Sequence, residues 1–113
     1  MKTIKDTKKL DDTQAAACME AMGHPKRLAV YRLLVKAGSD GLVMGRIQEM
    51  CCIPASTLNH HVQALVRAGL VVQERSGREI RCTNNAPVMW GVVDYLTAEC
   101  CTLDTSCEEG TTK

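Results

Sequence analysis

The stretch from Met44 to Asn84 constrains the fold more than any other part of the chain. A short amphipathic run ends at a tight break, and the residues that follow, PASTLNHHVQALVRAGL, show the apolar spacing of a longer helix that ends at Gly69. Two β-prone runs, LVVQER and EIRCTN, then flank a Gly-containing turn, which is typical of a hairpin. This order predicts a mainly α-helical (α+β) domain that carries one β-hairpin.

Amphipathic runs on either side of this stretch complete the predicted domain. Apolar residues recur at helical spacing from Ala15 to Met22, after Asp11 or Asp12 as a plausible N-cap, and again from Leu28 to Ala37 and from Val88 to Leu96. Together with the two runs between them, they make about five helices. The chain contains no Phe, one Trp and two Tyr, so the core must be built from Leu, Val, Ala and Met.

The length of 113 residues suits one domain. We expect a disordered N-terminal arm over residues 1–10, the folded domain over residues 11–101 and a polar tail over residues 102–113. No apolar run approaches the roughly 20 residues of a membrane helix, and no apolar stretch follows the first charges as in a secretory signal. We therefore expect a cytoplasmic protein without a membrane partner.

Charge is distributed unevenly along the chain. Residues 24–81 contain nine Lys or Arg and four acids, a net charge of +5, whereas residues 82–113 have a net charge of −4. A basic middle segment favours an anionic partner. Ordinary solvated surface charge is the alternative explanation.

The outer face of the helix predicted over residues 54–68 is polar and carries no acid. Side chains of this kind read base edges in the major groove, and arginines beside them neutralise phosphates. We predict that double-stranded DNA is the partner, and that the base contacts come from Ser56, Thr57, Asn59, His60 and Gln63. Backbone or minor-groove contacts are predicted for Arg75, Arg78 and Arg81, at and near the hairpin tip. A helical domain whose hairpin has no such role is the alternative.

Three motifs in this order resemble those of the ArsR/SmtB family of winged-helix metal-sensing repressors. They are GHPKRLAVYRLLVKAG, PASTLNHHVQALVRAGLVV and QERSGREIRCTNN, and the similarity extends over about residues 12–97. The resemblance implies a winged helix-turn-helix fold and a homodimer formed by the first and last helices. It also implies a palindromic operator that is bound without ligand and released when an inducer binds.

The seven cysteines are unusual for a chain without a signal peptide, because cysteines in a reducing compartment more often bind metal or react than form structural disulfides. In the family, one arsenic site uses a Cys-x-Cys pair that would fall at about residues 43–48, where this chain has no cysteine. The family's zinc site uses Asp and His of the last helix. Only Asp94 matches it loosely, and no His follows His61.

Three cysteines remain together near the end of the chain, Cys100, Cys101 and Cys107. Three thiolates without a nearby His select a soft ion, and As(III) or Sb(III) favours such a pyramidal sulfur site. Adjacent helical residues point about 100° apart, so the first two can share an ion only if the helix ends there and the tail folds back. The spacing also resembles the C-terminal three-cysteine site of one arsenic-responsive branch of the family. Incidental thiols in a polar tail are the alternative.

The remaining cysteines suggest less specific roles. Cys18 and Cys82 fit core positions. Cys51 and Cys52 lie in the turn before the longer helix, and a redox role or an auxiliary metal role is open for them. The chain lacks a C-x-x-C pair, a Cys with Arg six positions later and a Gly-rich nucleotide loop, so we do not expect an enzyme or an organic cofactor. The predicted function is that of an As(III)-responsive repressor, and we expect Sb(III) to act as an inducer too. A thiol-redox repressor of the same fold and a metalloid-binding chaperone without DNA binding remain the alternatives.

Overall fold

The computed structural model describes residues 6–104, and within that range the chain forms five α-helices and three β-strands. The helices are α1 (Asp12–Met22), α2 (Pro25–Ala37), α3 (Met44–Cys51), α4 (Ala55–Arg67) and α5 (Ala86–Thr97). The strands are β1 (Leu42–Val43), β2 (Val71–Ser76) and β3 (Glu79–Asn84), and a 3₁₀ turn over Gly38–Asp40 precedes β1. The predicted class, a mainly helical winged helix-turn-helix domain, is confirmed.

Local sequence signals set the ends of several elements. Asp11 accepts a hydrogen bond from the Gln14 amide at 2.8 Å while the Gln14 side chain accepts one from the Asp11 amide at 3.0 Å, so a capping box starts α1. Pro25 occupies the first position of α2, where its missing N–H costs nothing. Gly77 has a φ of 63° in the two-residue connection between β2 and β3, a conformation that glycine adopts without steric cost.

The sheet is antiparallel, in the order β1-β3-β2. The hairpin pairs Val71 with Asn84 at its base and Ser76 with Glu79 at its tip. The third strand, β1, pairs Leu42 with Cys82 and was not predicted from sequence. Two residues are too few to show strand alternation, so only their partner in space reveals the pairing.

A single cluster of buried side chains holds the helices against the sheet. Leu34, Ile47, Leu58, Leu65 and Leu70 are the largest fully buried side chains. Each contributes roughly 1.5–3 kcal/mol through burial, a substantial fraction of a total stability of about 5–15 kcal/mol. The core therefore fixes which face of α4 points outward.

The segment predicted as a disordered arm, residues 1–10, contacts the domain in the part that the structure describes. Of its described part, residues 6–10, Leu10 is buried in the core and the Lys8 amide donates a hydrogen bond to the Pro87 carbonyl at 2.9 Å. A Cβ atom at Gly91 would collide with the Lys8 carbonyl oxygen, so the absence of a side chain there admits the segment onto α5. No helix within residues 6–104 is both long and apolar enough to span a membrane.

Candidate functional site

The outer face of α4 presents four of the predicted base-contacting residues. Ser56, Thr57, Asn59 and His60 are exposed, while the opposite face of the helix is buried in the core. The first turn of α4 contains no acid, and no side chain caps its backbone amides. The partial positive charge at this helix end therefore favours an anion.

Gln63 lies on the same helix but has a partner inside the protein. Its Nε2 atom donates a hydrogen bond to Oε1 of Gln73 on β2 at 2.9 Å, and Gln73 in turn donates to the Cys82 sulfur at 3.6 Å. The amide pair joins α4 to the hairpin, so this structure uses Gln63 to position the wing. Ten residues separate the two glutamines, and no local pattern in the sequence indicates that they meet.

The three arginines of the hairpin do not share one face. Arg75 is paired with Ile80 and lies two residues from Gln73, hence on the face of the hairpin that meets α4. Arg78 is exposed in the turn. Arg81 lies opposite Glu74 on the other face, and its Nη1 atom donates a hydrogen bond to the Asp40 carbonyl at 2.9 Å. Arg75 thus lies on the face of the hairpin that meets α4, Arg78 lies in the exposed turn, and Arg81 lies on the opposite face.

His61 is buried beneath the outer face of α4 with 4% of its surface exposed. Arg27 of α2 donates through Nε to His61 Nδ1 at 3.4 Å, and the His24 ring centroid lies 4.9 Å away. Burial, and then the positive charge of Arg27 with smaller contributions from nearby His and Lys residues, lowers the pKa of His61. The neutral imidazole is therefore a packing residue.

The C-terminal cysteines follow the last helix instead of continuing it. The helix ends at Thr97, and turns closed by hydrogen bonds between residues three apart follow it. The Cys100 N–H donates to the Thr97 carbonyl at 3.0 Å, and the Asp104 N–H donates to the Cys101 carbonyl at 3.1 Å. Cys101 has a φ of 67°. The chain thus leaves the α-helix before the two adjacent cysteines, as one shared ion requires.

The two sulfurs of this turn are close enough to share one ligand. Cys100 Sγ and Cys101 Sγ lie 3.3 Å apart, whereas two sulfurs on an ion with bonds of about 2.3 Å can be at most about 4.6 Å apart. Cys107 lies outside the described residues. Within residues 6–104 no group of three His, Cys, Asp or Glu side chains could hold a metal ion. Cys101 is disulfide-bonded, and Cys100 is free.

The other described cysteines differ in exposure. Cys18 and Cys82 are fully buried, and burial raises the pKa of both thiols, so their predicted packing role is consistent with the structure. Cys51 is half-buried, and burial together with the adjacent Cys52 raises the pKa of its thiol. Cys52 is exposed and has a φ of 55°.

Sequence comparisons place these elements among known regulators. A helix-turn-helix domain model matches residues 22–74. The chain is 34% identical over 67 residues to the HTH-type transcriptional regulator YgaV of Escherichia coli strain K12, a match that covers 59% of this chain and 66% of that protein, slightly less than two thirds. It is 33% identical over 64 residues to an uncharacterized HTH-type transcriptional regulator of Methanocaldococcus jannaschii, and this match covers 57% and 70% of the two chains.

Solved structures agree on the architecture. An ArsR-like transcriptional regulator from Rhodococcus sp. RHA1 superposes with a TM-score of 0.71 at 19% identity, covering 83% of this chain and 86% of that one. A homodimeric winged helix-turn-helix DNA-binding domain from Mycobacterium bovis superposes with a TM-score of 0.61 at 18% identity, covering 83% and 82%. These identities establish the fold alone. Since the sequence relatives are transcriptional regulators and not enzymes, the chain belongs to the helix-turn-helix family of transcriptional regulators.

Proposed function

We propose that the protein is a cytoplasmic, homodimeric repressor of the ArsR type that releases operator DNA when As(III), or Sb(III), binds Cys100, Cys101 and Cys107. The observation that carries this proposal is the placement of Cys100 and Cys101 in a turn just beyond α5, with their sulfurs 3.3 Å apart. Cys101 is disulfide-bonded in this structure, so metalloid binding requires its reduction to the thiol. A third thiol follows six residues later in the sequence.

The DNA contacts are assigned to the exposed polar face of α4 and to the wing. Ser56, Thr57, Asn59 and His60 face the major groove, while Arg75 and Arg78 hold the phosphate backbone. Gln63 and Arg81 are assigned a supporting role instead, because the side chain of each is bonded to another element of the protein. Each protomer supplies one recognition helix, so a palindromic operator with two half-sites requires two protomers.

The dimer forms through α1 and α5. Apolar side chains remain exposed on both helices, including Met19 on α1 and Val93 and Leu96 on α5, and Leu103 beyond α5 is fully exposed. The Tyr95 hydroxyl donates a hydrogen bond to the Asp12 carboxylate and so links α5 to the start of α1. Burying their apolar faces against a second copy is favourable for a chain of this size. The solved structure from Mycobacterium bovis, which has the same fold, is homodimeric, and this supports a dimer.

Metalloid binding exchanges ligands without changing oxidation state. Three thiols replace the three hydroxyls of arsenous acid and release three water molecules, and the product is a neutral, pyramidal sulfur complex. Closing this ring requires the tail to fold back on the end of α5, next to the dimer helices. Repositioning that end changes the relative setting of the two recognition helices. A coupling free energy of about 1–3 kcal/mol would weaken DNA binding roughly 5–150-fold.

The test is a fluorescence anisotropy titration of an operator fragment under full reduction. We expect As(III) to release the wild-type protein and to leave the Cys107→Ser variant bound. Cys18→Ser is the matched control, because Cys18 is buried in the core and should not affect the response. Release of the Cys107→Ser variant at the wild-type As(III) concentration would contradict the three-thiol site.

A thiol-redox repressor of the same fold is the second candidate. The disulfide at Cys101 favours it, since a free and exposed thiol, Cys100, lies 3.3 Å from that sulfur. Peroxide without metalloid would then release the operator, and a reductant would restore binding. An As(III) sensor releases the operator without peroxide, whereas a redox sensor releases it with peroxide alone. The same titration with peroxide in place of As(III) therefore separates the two candidates.

A further inference from the structure

A groove of about 430 Å³ lies between α2 and the turn that joins α3 to α4. Three cations on one face of α2, Lys26, Arg32 and Lys36, line one wall. Cys51 and Cys52 line the other wall together with apolar side chains such as Met50. None of the residues that line the groove is acidic.

No ion pair among the described residues involves the three cations of this groove. Within residues 6–104 the structure contains one ion pair, between Arg46 and Glu49, and it involves none of the three cations on α2. Clustered cations in a concave surface raise the local concentration of anions. The same cations oppose a bound metal cation, so the two thiols are poorly placed for an auxiliary metal site.

The two thiols differ in their suitability as nucleophiles. Cys51 is half-buried, and the pKa of its thiol is raised, which keeps it protonated. Cys52 is exposed in the left-handed turn, and its thiol makes only a long contact of 3.7 Å with the Glu49 carbonyl. Cys52 is therefore the thiol that a molecule in the groove can reach.

We propose that this groove binds anionic disulfides and captures them at Cys52 as mixed disulfides. The Cys52 thiolate attacks one sulfur of the disulfide, a new Cys52–sulfur bond forms as the original S–S bond breaks, and the leaving thiolate takes a proton from water. One disulfide is exchanged for another, so no further oxidant is needed. The adduct carries negative charge two residues before Pro54, at the start of α4, where it opposes DNA phosphates.

The experiment measures the rate of adduct formation at Cys52 by peptide mass mapping of the reduced, full-length protein. Glutathione disulfide is the anionic probe and 2-hydroxyethyl disulfide the neutral one. We expect the Lys26→Gln/Arg32→Gln/Lys36→Gln variant to react about tenfold more slowly than wild type with the anionic probe. Its rate with the neutral probe should be unchanged, which also shows that the variant is folded around Cys52.

The matched control removes the same amount of charge elsewhere, through Lys8→Gln, Lys9→Gln and Arg67→Gln. It should retain the wild-type rate with both probes, because none of these exposed residues lines the groove. Equal slowing of the two triple variants would overturn the site, as would an adduct formed at Cys51 instead of Cys52. A groove variant that loses operator affinity but keeps the wild-type rate with glutathione disulfide would assign the cations to the DNA backbone instead. This readout depends on neither As(III) nor DNA release, so it can fail while the proposed function stands.

Discussion

Individual hydrogen bonds decide which polar side chains of the DNA-binding surface are available to a ligand. Gln63 and His60 lie on the same outer stripe of α4, yet Gln63 is bonded to Gln73 and His60 is exposed. Arg75 and Arg81 belong to the same hairpin, yet only Arg81 is tied to the Asp40 carbonyl. Availability therefore depends on partners distant in the chain, which the residue type alone does not reveal.

This difference predicts distinct salt dependences for two arginine variants. Each phosphate contact that is lost lowers the slope of log affinity against log salt by about 0.9. We expect Arg75→Ala to reduce the slope by about that amount and Arg81→Ala to leave it unchanged. Operator affinities measured by fluorescence anisotropy over a series of KCl concentrations give both slopes. The reverse order would show that the wing approaches DNA with its other face.

The buried His61 predicts a pH-dependent stability. Its pKa in the folded protein lies below its ordinary value of 6.5, so the unfolded state binds more protons at pH values between the two. Its stabilising contribution is complete above pH 6.5 and is lost as the pH falls toward the folded pKa. One such group changes the free energy of unfolding by at most about 1.4 kcal/mol per pH unit.

Urea unfolding between about pH 5.5 and 7.5 measures this dependence. We expect the wild-type free energy of unfolding to decrease toward the acidic end and the His61→Gln variant to decrease less steeply. His60→Gln serves as the control, because His60 is exposed and should leave the wild-type slope in place. Identical slopes for wild type and His61→Gln would contradict the neutral buried state.

Regular periodicity explains which elements could be predicted from the sequence. The five helices and the hairpin each repeat an apolar pattern over at least six residues or surround a turn signal, and all are present. The two-residue β1 has no pattern of its own and depends on pairing with β3. The sequence of residues 6–10 is mostly polar, and its contact with the domain depends on the packing of Leu10 against Gly91 of α5.

The same distinction applies to the candidate sites. The polar face of α4 and the adjacent cysteines are local features, and they could be identified from spacing. The Gln63–Gln73 pair and the groove between α2 and Cys51–Cys52 join residues that are ten or more positions apart. Their formation depends on how helices pack, for which one sequence contains no direct signal.

The contact between the N-terminal segment and α5 predicts the effect of a single methyl group. Gly91→Ala places a Cβ atom against the Lys8 carbonyl, so we expect the segment to detach and the protein to lose about 1–3 kcal/mol of stability. Gly45→Ala is the control, since nothing lies within 4 Å of a Cβ atom there, and it should be neutral or stabilising. Hydrogen exchange of the Lys8 amide reports detachment directly. Continued protection of that amide in Gly91→Ala would contradict the packing.

At the scale of the whole molecule, the basic middle segment and the acidic end of the chain have separate tasks. Residues 24–81, with a net charge of +5, contain the surface assigned to DNA. Residues 82–113, with a net charge of −4, contain α5 and the three cysteines assigned to the metalloid. In the proposed function, the acidic segment that contains the three cysteines repels DNA, and α5 and α1 connect it to α4. The proposed function depends on all three thiols binding one As(III).

Thiol protection tests that claim most directly. The fully reduced protein is given one equivalent of As(III), alkylated with iodoacetamide and mapped by peptide mass spectrometry. We expect protection of three cysteines, Cys100, Cys101 and Cys107, and full alkylation of the exposed Cys52, which provides an internal control. Protection of Cys51 and Cys52 in their place, or alkylation of Cys107 at the rate seen without As(III), would contradict the three-thiol sensor.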